Sequence, residues 1–176
     1  MPNSRAKQPG DLPPEVRAAA ARGWCLFPVK MRAKAPLVKA WPEVATSDLV
    51  QLEAWAAEFP ACNWGMATGS ASGVVVIDVD GEEGRRSWAN LKRQGLTLPP
   101  TLTVLTGRPT GGQHRYYQMP SGVDFRNDET GKIGPHIDVR GTGGYVVFPP
   151  SIQPHACVVD VSRRGGSLQS GSRTDG

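Results

Sequence analysis

The chain has 176 residues, 39% of them hydrophobic and 20% charged, which suits one domain that buries its own core without disulfides. No run approaches the roughly 18 apolar residues of a membrane span, and the polar start "MPNSRAKQPGD" is no signal peptide, so a cytoplasmic protein with no membrane partner is expected. Cys25, Cys62 and Cys157 are scattered and form no CxxC pair, which argues for reduced thiols and against a structural zinc site.

The net charge of +4 is unevenly spread. Residues 1–41 hold eight Lys/Arg against Asp11 and Glu15, whereas residues 42–150 hold nine against twelve Asp/Glu. A basic N-terminal part beside an acidic centre fits attraction of nucleic-acid phosphate together with metal binding, although an ordinary solvated surface has the same signature.

In chain order, residues 1–12 are expected to be disordered. A short helix follows at about 13–22, with Pro13 and Pro14 in its first turn and Gly23 at its stop. "WCLFPVK" reads as a strand and "MRAKAPLVKAWPE" as a basic loop closed by Trp41. "TSDLVQLEAWAAEFP" is a helix with a Thr/Ser cap, an apolar stripe through Leu49, Leu52, Trp55 and Ala56, and a stop at Pro60. "NWGMATG" is a short strand and turn, and "GVVVIDVD" is the strongest strand in the chain. "EEGRRSWANLKRQG" forms the helix behind it, acidic in its first turn and basic towards its end. Four further strands are expected in "TLTVLTG", "QHRYYQM", "KIGPHIDVRG" and "GYVVFPP". Helices and strands mix without strict alternation, which favours an α+β fold with a largely antiparallel sheet. After Pro150 the chain becomes polar and rich in Ser, Gly and Arg, so residues 153–176 are expected to form a flexible tail.

Chemistry concentrates in three places. In "GVVVIDVDGEEG", Asp78 and Asp80 share one strand face while Ile77 and Val79 share the other. Two carboxylates about 6–7 Å apart repel unless a cation lies between them, and Mg²⁺ or Mn²⁺ is the usual one. A solvated turn at the strand end, completed by Gly81, is the alternative. In "TGGQHRYYQMP", His114 enters a strand after a glycine pair, either as a structural histidine or where a ligand approaches the backbone. In "PHIDVRGTGGYVVFPPS", Asp138 and Arg140 project from a strand whose other face is apolar. They form either a surface ion pair or part of a site, in which the Arg140 fork suits phosphate. The "GTGG" loop could offer N–H groups to an anion, but it lacks the spacing of a Walker phosphate loop.

Taken together, these pieces resemble the bifunctional primase–polymerase (Prim-Pol) domain of the archaeo-eukaryotic primase superfamily. The resemblance covers about residues 15–152 and rests on "GWCLFPVK…KAPLVKAW", "NWGMATG", "GVVVIDVDG", "TGGQHRYY" and "HIDVRGTGGYVVFPPS". It implies a catalytic sheet akin to an RNA-recognition motif beside an N-terminal αβ unit, within a domain spanning 13–152. It also implies that Asp78, Asp80 and Asp138 hold Mg²⁺ or Mn²⁺ and that His114 contacts the phosphates of an incoming NTP or dNTP. Arg140, Gly141, Gly143 and Gly144 are expected to face the nucleotide. The function implied is metal-dependent nucleotidyl transfer to a 3′-hydroxyl on a single-stranded DNA template, in replication of a phage, plasmid or integrated element. Lys30, Arg32, Lys34 and Lys39 are the expected template contacts, since a loop of like charges suits an anionic partner.

The sequence departs from the family after "PPS", where "IQPHACVVDVSRRGG" lacks the expected aromatic segment, in keeping with a change of reading frame after about Gln153. No helicase domain follows, so such an activity would come from elsewhere. Two other readings compete. One is a catalytically inactive DNA-binding replication-initiation module. The other is a haloacid-dehalogenase-like phosphatase, which shares a strand followed by DxDG but needs a later Lys and a paired acid.

Overall fold

The computed structural model describes residues 10–106 and 110–152, together with the backbone of 159–160. Residues 1–9, most of the expected tail, and Cys157 lie outside the described residues.

Among the described residues, four helices and eight strands follow one another: α1 (Pro14–Ala20), β1 (Leu26–Val29), α2 (Trp41–Val44), α3 (Leu49–Glu58), β2 (Asn63–Ala67), β3 (Val74–Val79), α4 (Gly81–Arg93), β4 (Leu102–Thr106), β5 (Gly112–Gln118), β6 (Ile137–Arg140), β7 (Tyr145–Phe148) and β8 (Val159–Asp160). They build two antiparallel sheets, one ordered β1-β2-β7 and the other β6-β3-β5-β4-β8. The α+β class expected from the sequence is therefore observed.

The three-stranded sheet carries the helices α1 and α3. Every residue of β1 and β2 is buried. Pro28 is tolerated in β1 because that strand is the sheet's edge, where a missing N–H breaks no ladder. Gly65 on β2 faces Phe27, and a Cβ there would come 2.6 Å from the ring. Helix α3 buries Leu52, Trp55 and Ala56, as its stripe predicts. Its cap is Asp48, whose carboxylate accepts the Val50 N–H at 3.0 Å, instead of Thr46 or Ser47. Thr46 is held extended by exchanging backbone hydrogen bonds with Leu26, which moves the helix start two residues on.

The main core lies between the sheets and joins Val16, Leu26, Leu52, Trp64 and Met66 to Val74, Val76, Val104, Tyr116 and Val146. A second, smaller core of Val79, Trp88 and Ile137 fills the far side of the five-stranded sheet under α4. Gly84 lets that helix approach, since a Cβ there would lie 2.6 Å from the His136 carbonyl. Burial of β3 on both faces makes it the spine of the molecule.

Two stretches expected to be unstructured contribute to this architecture. Leu12 is buried in the main core. Val159–Asp160 pairs antiparallel with β4, because that strand's edge offers unpaired backbone groups.

The chain changes sheet after β2, after β6 and again before β8, and the first two of these crossings are tied together. The Thr68 hydroxyl donates to the Gly141 carbonyl at 2.7 Å, and the Thr68 N–H donates to the Gly144 carbonyl at 3.0 Å. The Ser70 N–H donates to the Thr142 hydroxyl at 3.1 Å. Gly69 stands at the contact with φ +70°, and a Cβ there would overlap the Thr142 backbone. Gly69→Ala should therefore destabilise the fold by about 2–4 kcal/mol, from overlap and left-handed strain together. A urea midpoint close to that of the native sequence would show that the crossings are not rigidly packed.

Candidate active site

The register of the five-stranded sheet decides where the polar residues go. Across β3, Asp78 pairs with His114 of β5 on one side and with Asp138 of β6 on the other. Residues paired across a sheet share a face, so Asp138, Asp78 and His114 form one lateral row from three strands. Val76 and Tyr116 lie on that same face, one step deeper, and Val104 lies beside His114 on β4. The polar row thus borders the main core at the end where β3 runs out towards Asp80.

A cleft of about 310 Å³ opens over the Asp78 and His114 end of this row, and Asp138 stands outside its lining. Asp78, Asp80 and His114 line it, together with Lys34, Trp41, Thr106, Asn127, Glu129, Arg140, Gly143, Gly144 and Tyr145. Asp78 and His114 are largely buried, with side chains 15% and 9% exposed. The His114 Nε2 lies 3.6 Å from an Asp78 oxygen, too far for a hydrogen bond. Burial pushes the His114 imidazole below its ordinary pKa. Asp78 opposes that shift, whereas Lys34 and Arg140 reinforce it. The ring is accordingly neutral near pH 7, with one nitrogen donating and one accepting.

Arg140 is the electrostatic centre. Its guanidinium lies 3.1 Å from Asp138 and 3.5 Å from Asp78, and it also pairs with Glu129. Burial raises the Asp138 carboxyl above the ordinary carboxylate value, with the positive charge of Arg140 pulling it back. Asp80 caps the start of α4: its backbone N–H donates to the His136 carbonyl at 2.9 Å, and its carbonyl accepts the Gly84 N–H at 3.0 Å.

The three acids expected from the sequence are thus neighbours without being a formed cluster. Among the described residues no group of three or more His, Cys, Asp or Glu side chains is arranged to hold a metal ion. The reason is local: Arg140 lies against both Asp78 and Asp138 and offsets their repulsion itself. The donor set is nevertheless one of hard carboxylate oxygens, the type Mg²⁺ and Mn²⁺ take. Three cleft residues, Thr106, His114 and Asn127, also carry a buried polar atom (Oγ1, Nδ1 and Oδ1 respectively) with no hydrogen bond among the described residues. Orphaned polar atoms cost free energy unless a bound group satisfies them.

A family model for the N-terminal domain of bifunctional DNA primase/polymerases, Prim-Pol, matches residues 16–165. The chain belongs to the Prim-Pol family. No curated protein matches it. The family assignment points to a DNA primase/polymerase type of function, and the match runs past residue 152, where the sequence reading ends the domain.

Within this Prim-Pol domain, several expected site residues stand elsewhere or act differently. Gly143 and Gly144 line the cleft, but Gly141 is buried against the Phe125 carbonyl, where a Cβ would overlap it. The "GTGG" loop is no open anion cradle, because the Thr142 N–H already donates to Phe125 at 2.6 Å and the Gly144 N–H to Gly141 at 2.9 Å. Gly141 serves close backbone packing, Gly144 leaves room for the Asn127 amide, and Gly143 takes a left-handed φ of +85°. Of the four basic loop residues only Lys34 lines the cleft; Lys30, Arg32 and Lys39 are exposed outside it.

Glu129, Asn127 and Tyr145 are site residues that sequence reasoning missed. Tyr145 alternates with buried Val146 at a strand start, a signal that was available. Glu129 sits in "DFRNDETG", which reads as a polar turn and gives no hint that it meets Arg140 eleven residues on.

Asp128 fixes that turn. It accepts from the Thr130 N–H at 2.9 Å and the Thr130 hydroxyl at 2.6 Å, pairs with Lys132, and its backbone exchanges hydrogen bonds with Val139. The Thr130 hydroxyl foremost, then Lys132, lowers its carboxyl to about 2. Its unfolded value is about 3.9, so its stabilising effect is complete above that pH and is lost as pH falls towards 2. The stability advantage of the native chain over Asp128→Asn should be constant from pH 7 to 5 and shrink between pH 4 and 2. An advantage independent of pH would assign the turn's order to its backbone alone.

Proposed function

We propose that the cleft is a nucleotidyl-transfer centre, which joins an NTP or dNTP to a 3′-hydroxyl on a single-stranded DNA template. The observation that carries this reading is the lateral row of Asp138, Asp78 and His114 across β6, β3 and β5, bordering a cleft that also contains Arg140 and Lys34. Family membership over residues 16–165 supports it independently. Replication of a phage, plasmid or integrated element is the setting we infer for such an activity.

Asp78, Asp80 and Asp138 would hold Mg²⁺ or Mn²⁺, which supplies neutralisation of the triphosphate and activation of the attacking hydroxyl. Neutral His114 can donate one N–H to a phosphate oxygen, and its burial fixes the ring's direction before substrate arrives. Arg140 is drawn to whichever anions lie nearest. Its contacts with Asp78 and Asp138 hold it beside the row, where its planar fork suits phosphate oxygens. Gly143 and Gly144 keep the cleft wall free of side chains. Exposed Lys30, Arg32 and Lys39 suit the template backbone.

The five-stranded sheet further supports a fold akin to the RNA-recognition motif. Its strands run β6-β3-β5-β4, with α4 crossing from β3 to β4, as in a βαββαβ unit. In this reading the segment 119–136, which contains no helix, replaces the second crossover helix.

Asp78→Asn should abolish nucleotide incorporation on a primed template with either Mg²⁺ or Mn²⁺, a loss of at least about a hundredfold on the scale of metal-assisted phosphoryl transfer. The variant should stay folded, because Arg140 keeps Asp138 and Glu129 as partners. Substantial metal-dependent incorporation by this variant would remove Asp78 from the centre. A native chain that binds primed DNA without ever extending it would favour the inactive replication-initiation module.

Template affinity should fall with salt by roughly 0.7 log units per phosphate contact per decade. Replacing Lys30, Arg32 and Lys39 together by alanine should flatten that slope. An unchanged slope in an anisotropy titration would move the template elsewhere.

A further inference from the structure

Lys34 differs from its neighbours in the basic loop. It lines the cleft, whereas the other basic residues of the loop do not. Among the described residues its ammonium makes no ion pair, while Arg140, the other cation of the cleft, has Asp78, Asp138 and Glu129 as partners. Among the described residues the cleft therefore holds one compensated cation and one uncompensated one. Lys34 is exposed at the cleft rim, and a compact ammonium set beside a cleft with no counter-ion of its own is placed to meet an anion that enters.

The backbone beneath Lys34 is anchored. Its carbonyl accepts the Tyr145 hydroxyl from β7. The Lys30 N–H donates to the Ala35 carbonyl at 2.8 Å, and Val29 bridges Pro36. Downstream, Trp41 packs on Phe27 and on Tyr145, each with ring centroids 4.8 Å apart. A loop fastened at both ends and in the middle presents its lysine from a fixed base, so only the side chain is left to move. The charge of Lys34 is also felt at His114, where it acts in the same direction as that of Arg140. Lys34, His114 and Arg140 thus face one volume from three different parts of the chain.

We propose that Lys34 is a substrate-phosphate residue, binding the triphosphate of the incoming nucleotide and not the template backbone, with Tyr145 as the positioning residue that holds its loop. This deepens the nucleotidyl-transfer reading and rests on it. The remaining basic residues of the loop stay available to the template, which divides one basic segment between two anionic partners.

The test compares the native chain with Lys34→Ala, Lys34→Arg, Tyr145→Phe and the remote charge control Lys92→Ala, the last on the exposed face of α4. Three quantities are measured: dNTP binding at equilibrium with Mn²⁺, the KM and kcat of primer extension, and template affinity against salt. Loss of a charge-assisted contact should raise the dNTP Kd and KM of Lys34→Ala on the order of ten- to a hundredfold. Template affinity and its salt slope should be unchanged. Lys34→Arg should recover part of the loss, Tyr145→Phe should raise KM by a smaller factor with kcat nearly constant, and Lys92→Ala should match the native chain. The proposal is overturned if Lys34→Ala keeps native dNTP binding while its template affinity and salt slope fall, or if neither changes. Those outcomes leave the transfer reading intact, since the native chain still binds and incorporates dNTP. A native chain that neither binds dNTP nor extends a primer removes both together.

Discussion

The antiparallel register of β6, β3 and β5 is the constraint on which the site depends. Asp138, Asp78 and His114 are far apart in sequence and meet only because each is paired across the same rung. A slip of β5 by one residue would turn His114 towards α4 and bring a neighbour such as Arg115 into the cleft. Two cores forbid that slip. Val76, Val104 and Tyr116 fill one face, and Val79, Ile137 and Trp88 fill the other, so either face would lose its apolar contacts. Stability of the core and alignment of the chemistry are one requirement here.

Alignment has an electrostatic consequence. A row containing two carboxylates at the margin of an apolar core is unfavourable unless a cation accompanies it. Arg140 is that cation in this structure, and its place is set from two directions. Its own strand puts it two residues beyond Asp138, while the turn around Asp128 delivers Glu129 to its other side. The same turn is bound to the crossing after β6, through Thr142 and Phe125, and that crossing is bound to the one after β2. The site is therefore supported by the parts of the chain that join the two sheets. It is not carried by a free loop.

Much of this was legible in the sequence because it follows from short-range periodicity. "VVVIDVD" alternates between two apolar faces until Asp78 and Asp80 break the pattern, and "IDVRG" repeats the device. The α4 segment shows its acidic start, basic end and buried Trp88 plainly. What escaped is set by pairing between distant segments. Nothing local says that "GYVV" joins the sheet of β1 and β2 instead of the one holding "IDVR", four residues earlier. Lys34 looks like its basic neighbours until Tyr145 and Trp41 fix the loop over the cleft. The glycines of "GTGG" suggested an open loop, whereas Gly141 and Gly144 are small because Phe125 and Asn127 lie against them. Composition alone hid the strand at Val159–Asp160, since pairing to an open edge demands little of side chains.

The central claim is that metal and nucleotide meet at the row of Asp138, Asp78 and His114. Paramagnetic broadening reports distance from Mn²⁺ directly, and the chain has only three histidines to resolve. The measurement is a titration of sub-stoichiometric Mn²⁺ with dNTP, followed through the histidine imidazole resonances and assigned with His114→Gln. The structure predicts that His114 broadens first, ahead of His136, and that this selectivity disappears in Asp138→Asn. Broadening centred on another histidine, or equal at all three in both proteins, would contradict it.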